Sequence, residues 1–142
     1  MKTLLTLAVL CASLQLHAAE WLTDLATAQA KAKAENKVVF LAAVLDTCPA
    51  CRGMEKSVFP SKDFEEFAAK NLVLVKTEFG EKKKLTDAQL KNGAALKEKY
   101  NLGEGWPTLL VLDSNGKVLK RHLGGFENGT KDLLAFIATA KP

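Results

Sequence analysis

A chain of 142 residues, 48% apolar and 25% charged, has the composition of an ordinary globule with room for one domain around a real core. That balance excludes a disordered or low-complexity chain, and no internal repeat is present. The formal charge of +4 is mild and gives no footing for a nucleic-acid binder. The one basic cluster, Lys82, Lys83 and Lys84, has no aromatic residues interleaved with it and reads as a solvated loop rather than a docking patch for anions.

The first segment reads as a secretory signal peptide, residues 1–18, leaving 19–142 as the folded domain. Lys2 supplies a positive start, Leu4 to Leu16 an almost uncharged apolar stretch, and Ala18 and Ala19 small residues for cleavage. Cleavage after Ala18 is favoured, because cleavage after Ala19 would put His17 in the signal peptidase pocket. Cys11 follows Leu10, not the small residue that lipidation needs, so it leaves with the signal. An uncleaved anchor is disfavoured, since roughly 13 apolar residues fall short of the ~20 needed to span a bilayer. The mature chain then carries Cys48, Cys51 and His122 into an oxidising compartment.

From Thr23 to Glu35, Leu22, Leu25 and Ala28 are spaced for one face of a helix, with Thr23 as cap ahead of Asp24 and Asn36 as terminator. Val38 to Leu45 is a continuous apolar run, which suits a strand buried on both faces. Ser61 caps a helix with Phe64, Phe67 and Ala68 on one side, and Leu72 to Val75 reads as a second strand, parallel to the first across a helical crossover. Thr86 and Gln89 form a capping box that opens a helix toward Tyr100, weakened in its middle by Gly93. Thr108 to Leu112 and Lys117 to His122 form a hairpin across Asp113-Ser114-Asn115-Gly116, where Asn-Gly supplies positive φ angles. Gly124 and Gly125 break the pattern before a last amphipathic helix with Leu133, Leu134 and Ile137. The order is that of an α/β domain.

Cys48 follows the buried strand, and Pro49 stands where the first helical residue would be, a favoured place because its missing N–H would have no intrahelical partner. Cys48 is thus the expected N-cap, with free backbone N–H groups ahead of its sulfur. Such a site favours the thiolate, the attacking species in exchange, so Cys48 reads as nucleophile. Cys51 lies one turn into the helix, within disulfide reach, and reads as the resolving thiol. A purely structural bond is the blander reading, but so short a loop contributes only about 2 kcal/mol by chain entropy. Zinc needs four ligands, and only Cys48, Cys51, His122 and carboxylates such as Asp46 are on offer. A Cu(I) carrier is chemically sounder, though Met54 is the only methionine left to assist.

Strand, cysteine pair, helix, second strand, then Gly105-Trp106-Pro107-Thr108 opening a hairpin and a final helix: this order resembles the thioredoxin superfamily over nearly the whole mature chain. The run Cys48-Pro49-Ala50-Cys51-Arg52-Gly53-Met54-Glu55-Lys56-Ser57-Val58-Phe59, with Gly124-Gly125-Phe126, resembles the C-terminal periplasmic domain of the DsbD-type thiol-disulfide interchange protein. The resemblance implies a thioredoxin-like fold, a central mixed sheet of four strands, or five, flanked by helices with an N-terminal helix before the first core strand. It implies that Pro107 is a cis-proline facing the cysteines, and that Trp106 and Thr108 beside it meet the substrate chain, Trp106 pairing through its backbone. The alternative for Trp106 is core packing. Glu55, four residues after Cys51, matches a glutamate that helps control cysteine protonation; the alternative is a solvated surface carboxylate. Two departures stand out: Ala42 replaces a buried acid common in the family, and Thr47 replaces a tryptophan. Lys76 could match a lysine beneath the site, but a strand-end charge is the favoured reading.

Together these readings make the chain an exported, monomeric thiol-disulfide oxidoreductase of reductase type, with no cofactor and no metal. Cys48 and Cys51 would be catalytic, with Pro49, Ala50, Arg52 and Glu55 supporting them. The substrates would be disulfides in other exported proteins, and a membrane thiol-disulfide donor would re-reduce the pair. A disulfide oxidase or isomerase, or a non-catalytic binding module such as a Cu(I) carrier, remains the alternative.

Overall fold

In a computed structural model the protein is described over residues 19–140; the signal-peptide reading and Cys11 lie outside the described residues. Trp21–Leu22 forms a short first strand, β1, followed by helix α1, Leu25–Glu35. Asp24, not Thr23, is its N-cap, accepting the Thr27 N–H at 2.7 Å, and Asn36 ends it in the left-handed conformation at φ 53°. Both Thr23 and Asp24 are capping residue types; the one next to Leu25 is the one whose carboxylate reaches the first turn.

Strand β2, Val38–Leu45, runs down the middle of the sheet, with all six residues from Val39 to Val44 buried. Parallel to it lies β3, Leu72–Phe79, longer than the apolar run alone predicts. The reason is pairing: each residue of β2 has a partner, from Val38 opposite Leu72 to Leu45 opposite Phe79, and the ladder carries Lys76, Thr77 and Glu78 along with it. Lys76 is therefore not a strand-end charge; it stands opposite Ala42 inside the ladder. Strand β4, Thr108–Leu112, pairs antiparallel with β2, and β5, Val118–Leu123, pairs antiparallel with β4. The five-stranded order is β1-β3-β2-β4-β5.

The sheet has an apolar layer on each face. On one, α1 and α4 (Asp87–Tyr100) press Ala28, Ala32, Leu96 and Tyr100 against Val39, Leu41, Val75 and Leu110. Gly93 does not break α4; a Cβ there would come 3.2 Å from the Thr77 Oγ1, so the helix sits close to β3 because this residue has no side chain. The Thr86–Gln89 capping box forms in full. On the other face, α3 (Lys62–Asn71) and α5 (Thr130–Ala138) cover Phe40, Leu74, Leu109 and Val111 with Phe64, Ala68, Leu133 and Ile137. Each such buried Val, Leu or Phe contributes about 1.5–3 kcal/mol relative to exposure.

The β4–β5 turn is wider than a two-residue Asn-Gly turn. The Asp113 carboxylate accepts the N–H groups of Asn115 and Lys117, both at 2.9 Å, and only Gly116 takes a positive φ, 86°. The Tyr100 hydroxyl donates to the Gly116 carbonyl at 2.9 Å, fastening α4 to this turn.

Candidate active site at the cysteine pair

The cysteines sit at the C-terminal end of β2, where the sheet hands the chain to a short helix, α2, Pro49–Gly53. Cys48 is the N-cap with extended backbone (φ −83°, ψ 117°), Pro49 occupies the first turn, and the Cys51 N–H donates to the Cys48 Sγ at 3.0 Å. Their Cα atoms are 5.3 Å apart and their sulfurs are joined. Both are largely buried against Val44, Leu45 and Trp106, Cys48 retaining 8% exposure and Cys51 none. Cys48 is thus the more accessible of the two residues, though less exposed than an N-cap position alone implies.

After Gly53 the chain changes winding: Met54–Val58 is a π-helical segment in which the Phe59 N–H reaches back to the Met54 carbonyl at 2.9 Å. Glu55 is the second residue of this segment, two past the end of α2. The Glu55 carboxylate is half-buried, with 28% of its side chain exposed, and it is paired: the Lys76 ammonium binds it at 3.1 Å and lies 3.8 Å from Glu78. Lys76 also stands 5.9 Å from the Trp21 ring centre, so β1 shields this pair. Ala42, directly opposite Lys76, offers it no carboxylate, and Glu55 is the nearer partner the lysine has.

Across the sulfurs lies the loop before β4. The Trp106–Pro107 peptide is cis. Trp106 packs on the cysteines and on Phe79, ring centres 5.2 Å apart, so it serves the core and the site together. Pro107 and Thr108 are fully buried, and the Thr108 hydroxyl donates to the Gly105 carbonyl at 2.7 Å. Thr108 thus braces the loop from beneath, and its side chain has no surface to offer a substrate. Arg52 is exposed, and its guanidinium donates to the Asp46 carbonyl at 3.3 Å. Ala50 is exposed beside Gly125.

Several neighbours of the pair escape sequence reasoning. Asp46 takes the Lys82 N–H on its carboxylate at 2.6 Å and gives its own N–H to the Phe79 carbonyl at 3.0 Å, tying the β3–α4 loop to the end of β2. The Gly124 N–H donates to the Pro107 carbonyl at 2.8 Å, and His122, stacked on Phe126 with ring centres 4.0 Å apart, reaches the Gly125 carbonyl at 3.3 Å. Leu123, 43% exposed, is an apolar surface beside Gly105. Asp46 and His122 are visible in the sequence as polar candidates and the glycine pair as a break, but not the contacts they make here. Among the described residues no three His, Cys, Asp or Glu side chains converge on one point, and no helix is long and apolar enough to cross a membrane.

This geometry has relatives. Over 84 residues the chain is 33% identical to a protein named disulfide bond reductase DsbH from Chlamydia pneumoniae, covering 59% of this chain and 49% of that protein, so the chain spans about half the length of this curated relative. A solved structure of a DsbH oxidoreductase superposes with a TM-score of 0.75 at 23% identity, over 98% of this chain and 95% of the other. The C-terminal domain of DsbD from Neisseria meningitidis, in its oxidised form, superposes with a TM-score of 0.61 at 17% identity, over 86% and 100% of the two chains. At these identities the two superpositions establish the fold. The thioredoxin-like domain family matches residues 24–141, which takes in every element from α1 to α5, and the chain belongs to that family.

Proposed function

We propose that the chain is an exported thiol-disulfide oxidoreductase that reduces disulfides in other exported proteins. The observation that carries it is Cys48 itself: an N-cap sulfur, more exposed than Cys51, accepting a backbone N–H and walled by the cis-proline loop. In the reduced protein the Cys48 thiolate attacks one sulfur of the substrate disulfide. A mixed disulfide forms, and the other substrate sulfur leaves and takes up a proton. Cys51 then loses its proton and attacks the Cys48 sulfur, closing the Cys48–Cys51 bond and releasing the second substrate thiol. Two electrons and two protons have passed to the substrate.

Three supports follow from the same surroundings. Helix N–H groups favour the Cys48 thiolate. Glu55, held by Lys76, is the carboxylate offered to the Cys51 proton, as the resemblance to the DsbD-type domain implies. The substrate chain lies along Trp106, whose N–H and carbonyl have no backbone partner among the described residues and are available to pair with it. The pair returns to the dithiol by exchange with a donor dithiol, which we place in the membrane because an oxidising compartment would exhaust the protein otherwise. Residues 1–18 are the export signal, 19–142 the mature domain, and the protein works as a monomer without cofactor.

The test is turnover. Reduced protein should cleave the disulfides of a protein such as insulin in the presence of a thiol donor, and Cys48→Ala should remove the activity. Absence of turnover by the wild type, or its survival in Cys48→Ala, would reject the proposal. Intact mass of the exported protein checks the start at Ala19.

A further inference from the structure

Beside the cysteine pair, on the β3 side, lies a cavity of about 320 Å³. Its apolar floor is Val44, Leu45 and Phe79, and its rim carries Arg52, Lys82 and Lys83. Val44 belongs to the buried cluster that holds both cysteines and also lines this cavity, so the cavity adjoins the redox pair. We propose that the cavity receives an acidic side chain, glutamate or aspartate, carried by the partner protein next to its reacting cysteine. The inference rests on the thiol-disulfide reading above.

The lysines are brought here by construction. Lys82 is 34 residues from Cys48 along the chain, and the loop that carries it is pinned by Asp46 through the Lys82 N–H and the Phe79 carbonyl. Gly80 makes the close approach feasible: it has φ +112°, and a Cβ on it would fall 2.1 Å from the Asp46 Cγ. Lys82 and Lys83 of the sequence cluster thus line the site.

Charge balance decides what the cavity accepts. Three carboxylates line it, and each is already engaged: Asp46 by the Lys82 N–H, Glu55 by Lys76, and Glu78 by Lys76 and Lys83. The cations are less fully used. Arg52 has five N–H donors, of which one meets a backbone carbonyl, and neither Arg52 nor the Lys82 ammonium has a carboxylate partner among the described residues. A side chain entering the cavity therefore finds an apolar floor for its methylenes and two uncommitted cations for a carboxylate. A lysine or arginine there would be repelled by the same two cations, and Asp46, held only by a backbone N–H, is the one lining carboxylate without a cationic partner to offset them.

The experiment uses two disulfide-linked peptides that differ only in Glu or Gln beside the reacting cysteine. Their kcat/KM values are compared in the wild type, in Lys82→Glu and in Lys33→Glu, a charge change of the same size at the far end of α1. The wild type should prefer the Glu peptide about two- to fivefold, the scale of one exposed ion pair, through KM, and the preference should shrink at high salt. Lys82→Glu should bring the ratio to one or below, while Lys33→Glu keeps the wild-type ratio. Equal use of both peptides by the wild type, or an equal fall in both variants, overturns this inference and leaves the exchange reading standing. Failure to cleave either peptide overturns the exchange reading and this inference with it.

Discussion

Replacing Gly80 by alanine is the sharpest structural perturbation of the site's frame. The backbone at φ +112° lies where an L side chain is strained by about 1–3 kcal/mol. The new Cβ would also sit 2.1 Å from the Asp46 Cγ, so the carboxylate must leave and lose the Lys82 N–H it holds at 2.6 Å. At this exposed position that bond contributes about 1 kcal/mol. The sum is about 3 kcal/mol, roughly a 10 °C fall in Tm for a domain of this size. Asp46→Ala alone should cost about 1 kcal/mol by the same bond. In the double variant the collision is gone and the bond is lost only once, so the two costs should fall short of additivity by about 1 kcal/mol or more. Urea unfolding of the oxidised protein and its three variants measures the cycle. Costs that add within about 0.5 kcal/mol would refute the clasp between Asp46 and the β3–α4 loop.

Two further outcomes follow from local geometry. Ala50→His places a donor or positive charge beside Cys48, on an exposed position against Gly125, and stabilises the reduced pair. The reduction potential should rise by about 30 mV for each ~1.4 kcal/mol gained; titration against a glutathione series reads it, and an unchanged or lower potential would count against the N-cap thiolate. The Asp24 carboxylate is held below its ordinary value by the Thr27 hydroxyl and, next, by the Thr27 N–H, with a small opposing effect of burial. Its folded value is the depressed one, so its contribution is present above the ordinary carboxylate range and disappears as pH falls through the folded value. Asp24→Ala should therefore cost about 1 kcal/mol near neutral pH and almost nothing in strong acid; an equal cost at both pH values would contradict the cap.

Most local signals in the sequence hold in the structure, the Thr23 cap and the Asn-Gly turn being the exceptions. The Thr86–Gln89 box, the Ser61 cap, the run Val38–Leu45 and the Cys48-Pro49 helix start each depend on neighbours within a turn. What escaped depends on partners far along the chain. Trp21–Leu22 is too short to show a period and exists as a strand because it pairs with Leu74 and Val75. The polar end of β3 is a strand because β2 lies beside it. The π winding of Met54–Val58 leaves no mark in residue spacing. The contact between Asp46 and Gly80 appears only when the loop closes over the end of β2.

The central claim is that Cys48 is the attacking sulfur and Cys51 the resolving one. It is tested most directly by trapping: Cys51→Ala and Cys48→Ala variants are incubated with disulfide-containing substrate proteins, quenched by alkylation and separated on non-reducing gels. Cys51→Ala should accumulate covalent complexes through Cys48, the sulfur with the helix N-terminus and the greater exposure, while Cys48→Ala, left with a fully buried Cys51, accumulates few. Equal trapping by the two variants, or more by Cys48→Ala, would contradict the account.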